Sequence, residues 1–89
     1  MNAATDISYK MINSPSKLEN FVRTIENEKA VGVDLEADSM YHFREKVCLV
    51  QMAAANVNVV IDPLIVKDLS PLKPIFERRD ICKIFHGAD

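Results

Sequence analysis

Two acids, Asp34 and Glu36, lie two residues apart in AVGVDLEADS, the stretch from Ala30 to Ser39. That stretch alternates as a strand does, with Val31, Val33, Leu35 and Ala37 on one face and Ala30, Gly32, Asp34 and Glu36 on the other. Residues i and i+2 of a strand point the same way, so the two carboxylates are expected side by side, roughly 6 to 7 Å apart along the backbone. Carboxylates at that reach can hold hard divalent cations such as Mg²⁺ or Mn²⁺, which prefer oxygen ligands and complete their shells with water and substrate phosphate. In a two-ion site, one cation activates water and the other stabilises the leaving oxygen of a phosphodiester. The plainer reading is a solvated strand face, and a D-x-E triplet alone does not exclude it. Two features favour the metal. The acids' face carries Ala30 and Gly32 where an exposed face would carry polar residues, and the next strand-like run, Val47 to Ala53, is apolar on both sides, which implies cover over the acids' face too. Nor does a Lys or Arg stand at the matching parity of the strand. Acids that are covered without a basic partner need a cation.

Other groups near this pair have chemistry to offer. Arg44 and Lys46, in the loop that follows, either solvate a turn or meet phosphates as a substrate strand runs past. Met40-Tyr41-His42-Phe43 puts Tyr41 and Phe43 a few residues from the acids, where they either stack on terminal bases or close over the core. His86 follows an apolar run and can orient a neighbour or donate to phosphate. Asp62 and Asp89 have no spacing partner and read as turn or cap acids.

The elements that position these groups follow from the hydrophobic periods. Ile7 to Asn13 predicts a short strand with Ile7, Tyr9 and Met11 on one face. Ser14-Pro15-Ser16 starts a helix, Ser14 before Pro15 suiting the N-cap and first helical position and Ser16 with Glu19 spaced as a capping box, and Leu18, Phe21, Val22 and Ile25 form its apolar stripe. After the acid-bearing strand, Val47 to Ala53 is apolar apart from Gln51 and reads as an interior strand covered on both faces. A turn at Ala54 to Asn56 joins it to Val57 to Ile61, which makes these two strands antiparallel neighbours. Ser70-Pro71 predicts the start of a second helix carrying Leu72, Ile75 and Phe76, and Ile81 to Phe85 a last strand. The order implies a mixed sheet of α/β class with flanking helices.

Composition bounds the rest. The 89 residues are 48% hydrophobic, which fits one small domain or part of a larger one. Lys and Arg number 11 against 13 Asp and Glu, so no basic field announces a nucleic-acid surface, and a polyanion would need local cations or metal ions. Cys48 and Cys82 lie singly in apolar runs and read as buried thiols in a reducing compartment. No signal segment or membrane-spanning run of about 18 residues is visible, which predicts a cytoplasmic chain without membrane contact. No helix follows the last strand to cover the second sheet face, so either a larger domain or a second copy of the chain is expected to cover it.

The segments VGVDLEADS, FREKVCLVQM, VVIDPL and KIFHGAD, in that order, resemble the N-terminal half of the ribonuclease D-like 3′-5′ exonucleases of the DEDD group. The resemblance runs from about Tyr9 to the last residue. It implies a ribonuclease H-like fold that is incomplete here, two Mg²⁺ or Mn²⁺ ions, and removal of nucleotides from the 3′ end of single-stranded RNA or DNA as nucleoside monophosphates. Asp34 and Glu36 would be the first two of four metal-binding acids, Asp34 bridging both ions and Glu36 binding the ion that activates water. Ala37, Tyr41, Phe43 and His86 would lie toward the terminal nucleotide. The second motif begins at His86-Gly87-Ala88, but its Asp normally comes three residues after that Ala, and Asp89 follows Ala88 directly. Residues 1–89 are thus expected to be the N-terminal part of one exonuclease domain, inactive alone because half of the acids are missing. Two rival expectations are a noncatalytic nucleic-acid-binding or assembly module with the same fold, and a small α/β interaction domain that dimerises over its open sheet.

Overall fold

The structure is a computed structural model and describes residues 9–38 and 47–86, with backbone alone at 36–38, 47 and 48. Five strands form one sheet: β1 (Lys10–Ile12), β2 (Ala30–Asp38), β3 (Val47–Ala54), β4 (Val57–Ile61) and β5 (Cys82–His86). Their order is β1-β4-β3-β2-β5. Pairings β2–β3 and β3–β4 are antiparallel, whereas β1–β4 and β2–β5 are parallel, so the sheet is mixed. The hairpin between β3 and β4 turns at Ala55 and Asn56, both at positive φ (52° and 63°), the left-handed pair of a type I′ turn.

Helix α1 (Pro15–Ile25) starts where Pro15 supplies a preset φ and Ser14 caps it, its hydroxyl accepting from the Lys17 N–H at 3.3 Å. The cap is therefore Ser14, and Ser16 with Glu19 forms no capping box. A 3₁₀ turn at Ser70–Leu72 leads into a short α2 (Lys73–Glu77). Ser70 does not cap this segment. Its own N–H is received at 3.0 Å by the side chain of Asp68, which closes the loop just before the turn.

The sequence period decides which face each strand buries. Val31 and Val33 of β2, Met52 of β3, Val59 and Ile61 of β4, and Ile12 of β1 share one side of the sheet by register. They pack with Leu18, Phe21 and Ile25 of α1 and with Leu72 and Ile75 into one buried cluster. Burying each such side chain contributes about 1.5 to 3 kcal/mol. Both helical segments thus lie on that one side.

The other side is open among the described residues. Tyr9 and Met11 are each 50% exposed there and Ile84 is 44% exposed. The face that Tyr9 and Met11 share is accordingly the solvent side of β1, and Ile12, of opposite parity, carries its burial. Strand β3 is central in the sheet, as its apolar sequence demands, but only its Met52 side is covered by described residues. Cys82 is exposed, contrary to the expectation of a buried thiol, because β5 is an edge strand and Cys82 pairs with the exposed Ala30 at its start. No helix among the described residues is long and apolar enough to cross a membrane.

One cation fastens the edge strand to the helical layer, and a second ties the two helical segments to each other. Lys83 Nζ donates to the carbonyls of Ile75 and Arg78, satisfying acceptors left free at the end of α2. Arg78 Nη1 donates to the Glu26 carbonyl at 2.6 Å, at the C-terminal end of α1. Strand β5 is thereby held beside β2, in the place that brings its last residue to the acids.

Candidate active site

Asp34 stands in the middle of β2, with β3 on one side and β5 on the other. Register places Gln51 directly opposite it on β3 and His86 directly opposite it on β5. Directly opposite residues of a sheet share a face, so His86, Asp34 and Gln51 form a row across the open side. One position back, the row Ile84, Gly32, Ala53 and Asn58 lies beside it.

A cleft of about 190 Å³ lies over this region, lined by Tyr9, Gly32, Asp34, Gln51, Asn58 and His86 among others. A Cβ at Gly32 would meet the Ala53 carbonyl oxygen at 3.7 Å, ordinary contact. Sterics among the described residues therefore do not demand glycine there. Its consequence is a shallow floor that leaves the Asp34 carboxylate approachable.

Asp34 is partly buried. The ion pairs among the described residues are Lys73–Glu77 and Arg78–Asp80, both remote from the acids in sequence, so no arginine or lysine of these residues neutralises Asp34. Its sheet neighbours are an amide and an imidazole, which can donate hydrogen bonds without cancelling its charge. A carboxylate so placed retains its oxygens for a hard cation, and the donor chemistry fits Mg²⁺ or Mn²⁺. Strand β2 continues unbroken through position 36, paired with Leu49, and through Asp38, paired with Val47. Positions 34 and 36 therefore fall at the same parity of one regular strand.

Several anticipated site residues are not placed. Glu36 and Ala37 are known by backbone alone, and Tyr41, Phe43, Arg44, Lys46 and Asp89 lie outside the described residues. Among the described residues no group of three His, Cys, Asp or Glu side chains is close enough to hold a metal ion. Asp62 is a turn acid as expected: its Oδ1 accepts from the Leu64 N–H at 2.9 Å, and its carbonyl accepts from the N–H groups of Ile65 and Val66. Gln51 was not singled out as a site residue by its sequence context. The available signal was its being the sole polar residue of Val47–Ala54.

The sequence and the fold both have known relatives. The chain is 33% identical over 88 residues to an exosome complex component 10 homolog of Caenorhabditis elegans, covering 98% of this chain and 10% of that protein. It is 32% identical over 80 residues to a ribonuclease D of Bartonella henselae, covering 89% of this chain and 20% of that protein. The structure aligns with Escherichia coli RNase D with a TM-score of 0.76 and 27% identity, over 91% of this chain and 22% of that one. The chain thus spans a tenth to a fifth of the length of these two curated relatives. Its mixed five-stranded sheet with helices is the exonuclease fold of these neighbours. A family model described as 3′-5′ exonuclease matches residues 9–89, nearly the whole chain, which therefore belongs to the 3′-5′ exonuclease family.

Proposed function

We propose that residues 1–89 form the first part of a 3′-5′ exonuclease domain in which Asp34 and Glu36 are two of the acids that bind divalent cations. The observation that carries this reading is Asp34 itself: a carboxylate on an inner strand, in a cleft, flanked by Gln51 and His86, with no basic partner among the described residues. Its strand places position 36 two residues on, at the same parity.

The substrate class follows from the relatives. The E. coli neighbour is an exoribonuclease involved in structured RNA processing, and RNA is accordingly the substrate proposed here. Bound cations would supply positive charge against the transition-state phosphate and make water a competent nucleophile at neutral pH. The protein's own groups do the positioning. Asp34 and Glu36 would offer oxygen ligands from one rigid strand, which costs little ordering entropy when the site forms. His86, at the end of β5 beside Asp34, would donate to a phosphate oxygen of the terminal nucleotide. Tyr41 and Phe43 would stack on its base.

Two acids make only part of such a ligand set, and Mg²⁺ binds weakly to few carboxylates. The activity is therefore assigned to the full-length protein. Its test is degradation of a 5′-labelled single-stranded oligoribonucleotide: shortening from the 3′ end, lost in EDTA, restored by Mg²⁺ or Mn²⁺, and abolished by Asp34→Ala. Retained activity in Asp34→Ala would refute the assignment. Binding of the oligonucleotide without any shortening, in the wild-type protein with either metal, would instead support a noncatalytic binding module with the same fold.

A further inference from the structure

Strand β3 spells VCLVQMAA from Val47 to Ala54, and Gln51 interrupts seven apolar residues. The interruption falls at the middle of the sheet, since β3 is the central strand of five. Gln51 is half-buried on the open side of the sheet, where an amide among apolar strand neighbours is best stabilised by a polar partner. Register supplies one. Gln51 is directly opposite Asp34 in the antiparallel β2–β3 pair, and both line the same cleft. Directly opposite residues have Cβ atoms about 4.5 to 5.5 Å apart, a span that a glutamine side chain covers.

Its other neighbours on that face offer little competition. Across β4 the residue opposite Gln51 is Val60, which has no side-chain polar group. The neighbouring row holds Gly32 and Ala53. Asn58, opposite Ala53, is the other amide lining the cleft. Asp34 is thus the one charged acceptor among the described residues of the cleft, and a charge-assisted bond from an amide N–H is stronger than a neutral one.

The two side chains are not hydrogen-bonded to each other in the structure, and we propose that Gln51 is a positioning residue for Asp34 when a divalent cation binds: its carboxamide would turn to donate an N–H to the carboxylate, fixing the orientation in which Asp34 presents its oxygens. The inference rests on the reading of Asp34 as a cation ligand. An amide is suited to the task because it orients a carboxylate without neutralising it, as an arginine or lysine would. It also leaves the second carboxylate oxygen free.

The experiment is a titration of the full-length protein with Mn²⁺ alone, followed by isothermal calorimetry, for wild type, Gln51→Met and Asp34→Asn. Methionine keeps the length and volume of glutamine and removes the donor. Gln51→Met is expected to weaken Mn²⁺ binding by about tenfold or more, the scale on which lost outer-shell partners act. It should lower kcat on an oligoribonucleotide at fixed metal while leaving KM within about threefold, as an effect on the metal site and not on substrate contacts. Unchanged Mn²⁺ affinity in a folded Gln51→Met protein overturns the proposal. Unchanged affinity in Asp34→Asn overturns the underlying reading of Asp34, and the two failures are thereby distinguished. If Gln51→Met does not fold, Gln51→Ser decides alone: serine is too short to reach Asp34, so the same loss is expected, and wild-type affinity there overturns the role of Gln51.

Discussion

Asp34 and His86 are directly opposite each other in the parallel pair of β2 and β5, although 51 positions separate them in the sequence. Strand β5 brings its last residue to the acid because its first residue is tied to the start of β2, the Cys82 N–H donating to the Lys29 carbonyl at 2.8 Å. The imidazole therefore shares the open face with the carboxylate. It flanks the proposed cation site while lying on a different strand from the two acids.

That placement separates two roles for His86. As a donor to substrate phosphate it would contribute a charge-assisted hydrogen bond of about 1.5 to 3 kcal/mol, which is about tenfold to a hundredfold in kcat/KM. His86→Ala in the full-length protein is expected to lose activity on that scale, mostly through KM, with Mn²⁺ affinity close to that of the wild type. Calorimetry with Mn²⁺ alone checks the second half. A loss of metal affinity as large as that in Asp34→Asn would make His86 a ligand and not a substrate contact.

What could be read from the sequence was what local period encodes. The alternation of Val31, Val33 and their neighbours gave β2 and its buried face, and the stripe Leu18, Phe21, Ile25 gave α1, because burial repeats every 2 or 3.6 residues. The close spacing of β3 and β4 required a hairpin, and the helical segment before β5 a parallel return. Long-range register was not legible. The alignment of Gln51 and His86 on either side of Asp34 depends on how three strands slide past one another, which no spacing in the chain states. The exposed side of β1 likewise depends on its pairing with β4, where Ile12 meets Ile61. The start of α1 was legible, because a Ser before a Pro suits the N-cap and the first helical position, and Ser14 caps the helix as that pattern requires.

Ala55 is at φ 52° in the β3–β4 turn, a conformation in which an L side chain with a Cβ is crowded against the backbone. Type I′ turns favour glycine or asparagine at both central positions, and only Asn56 conforms. Ala55→Gly relieves the strain and adds chain freedom to the unfolded state, two effects of opposite sign. The net is expected to be a gain on the order of 0.5 to 1 kcal/mol. Asn56→Gly should gain less, because asparagine already tolerates the left-handed region. Urea midpoints of the three proteins check the order. A less stable Ala55→Gly protein would contradict the turn assignment.

Arg78 grips Asp80 with two hydrogen bonds, Nε to Oδ1 at 2.9 Å and Nη2 to Oδ2 at 2.6 Å, while its remaining nitrogen, Nη1, holds the Glu26 carbonyl at the end of α1. The hydrogen bonding from the guanidinium keeps the Asp80 carboxyl below its ordinary value, with the charge of Arg78 adding to it. A carboxyl whose value is lower in the folded than in the unfolded state stabilises the fold above the unfolded value, about 3.9, and loses that contribution as pH falls through the lower folded value. Wild type is therefore expected to exceed Asp80→Asn in urea midpoint at pH 7, and the gap should narrow below pH 4 as the carboxyl takes up its proton. The pair is solvent-exposed, so the gap should be small and should shrink in high salt. A gap that is the same at pH 7 and at pH 3 would mean that the ion pair adds nothing beyond the shape of the side chain, and that Arg78 holds Glu26 without help from Asp80.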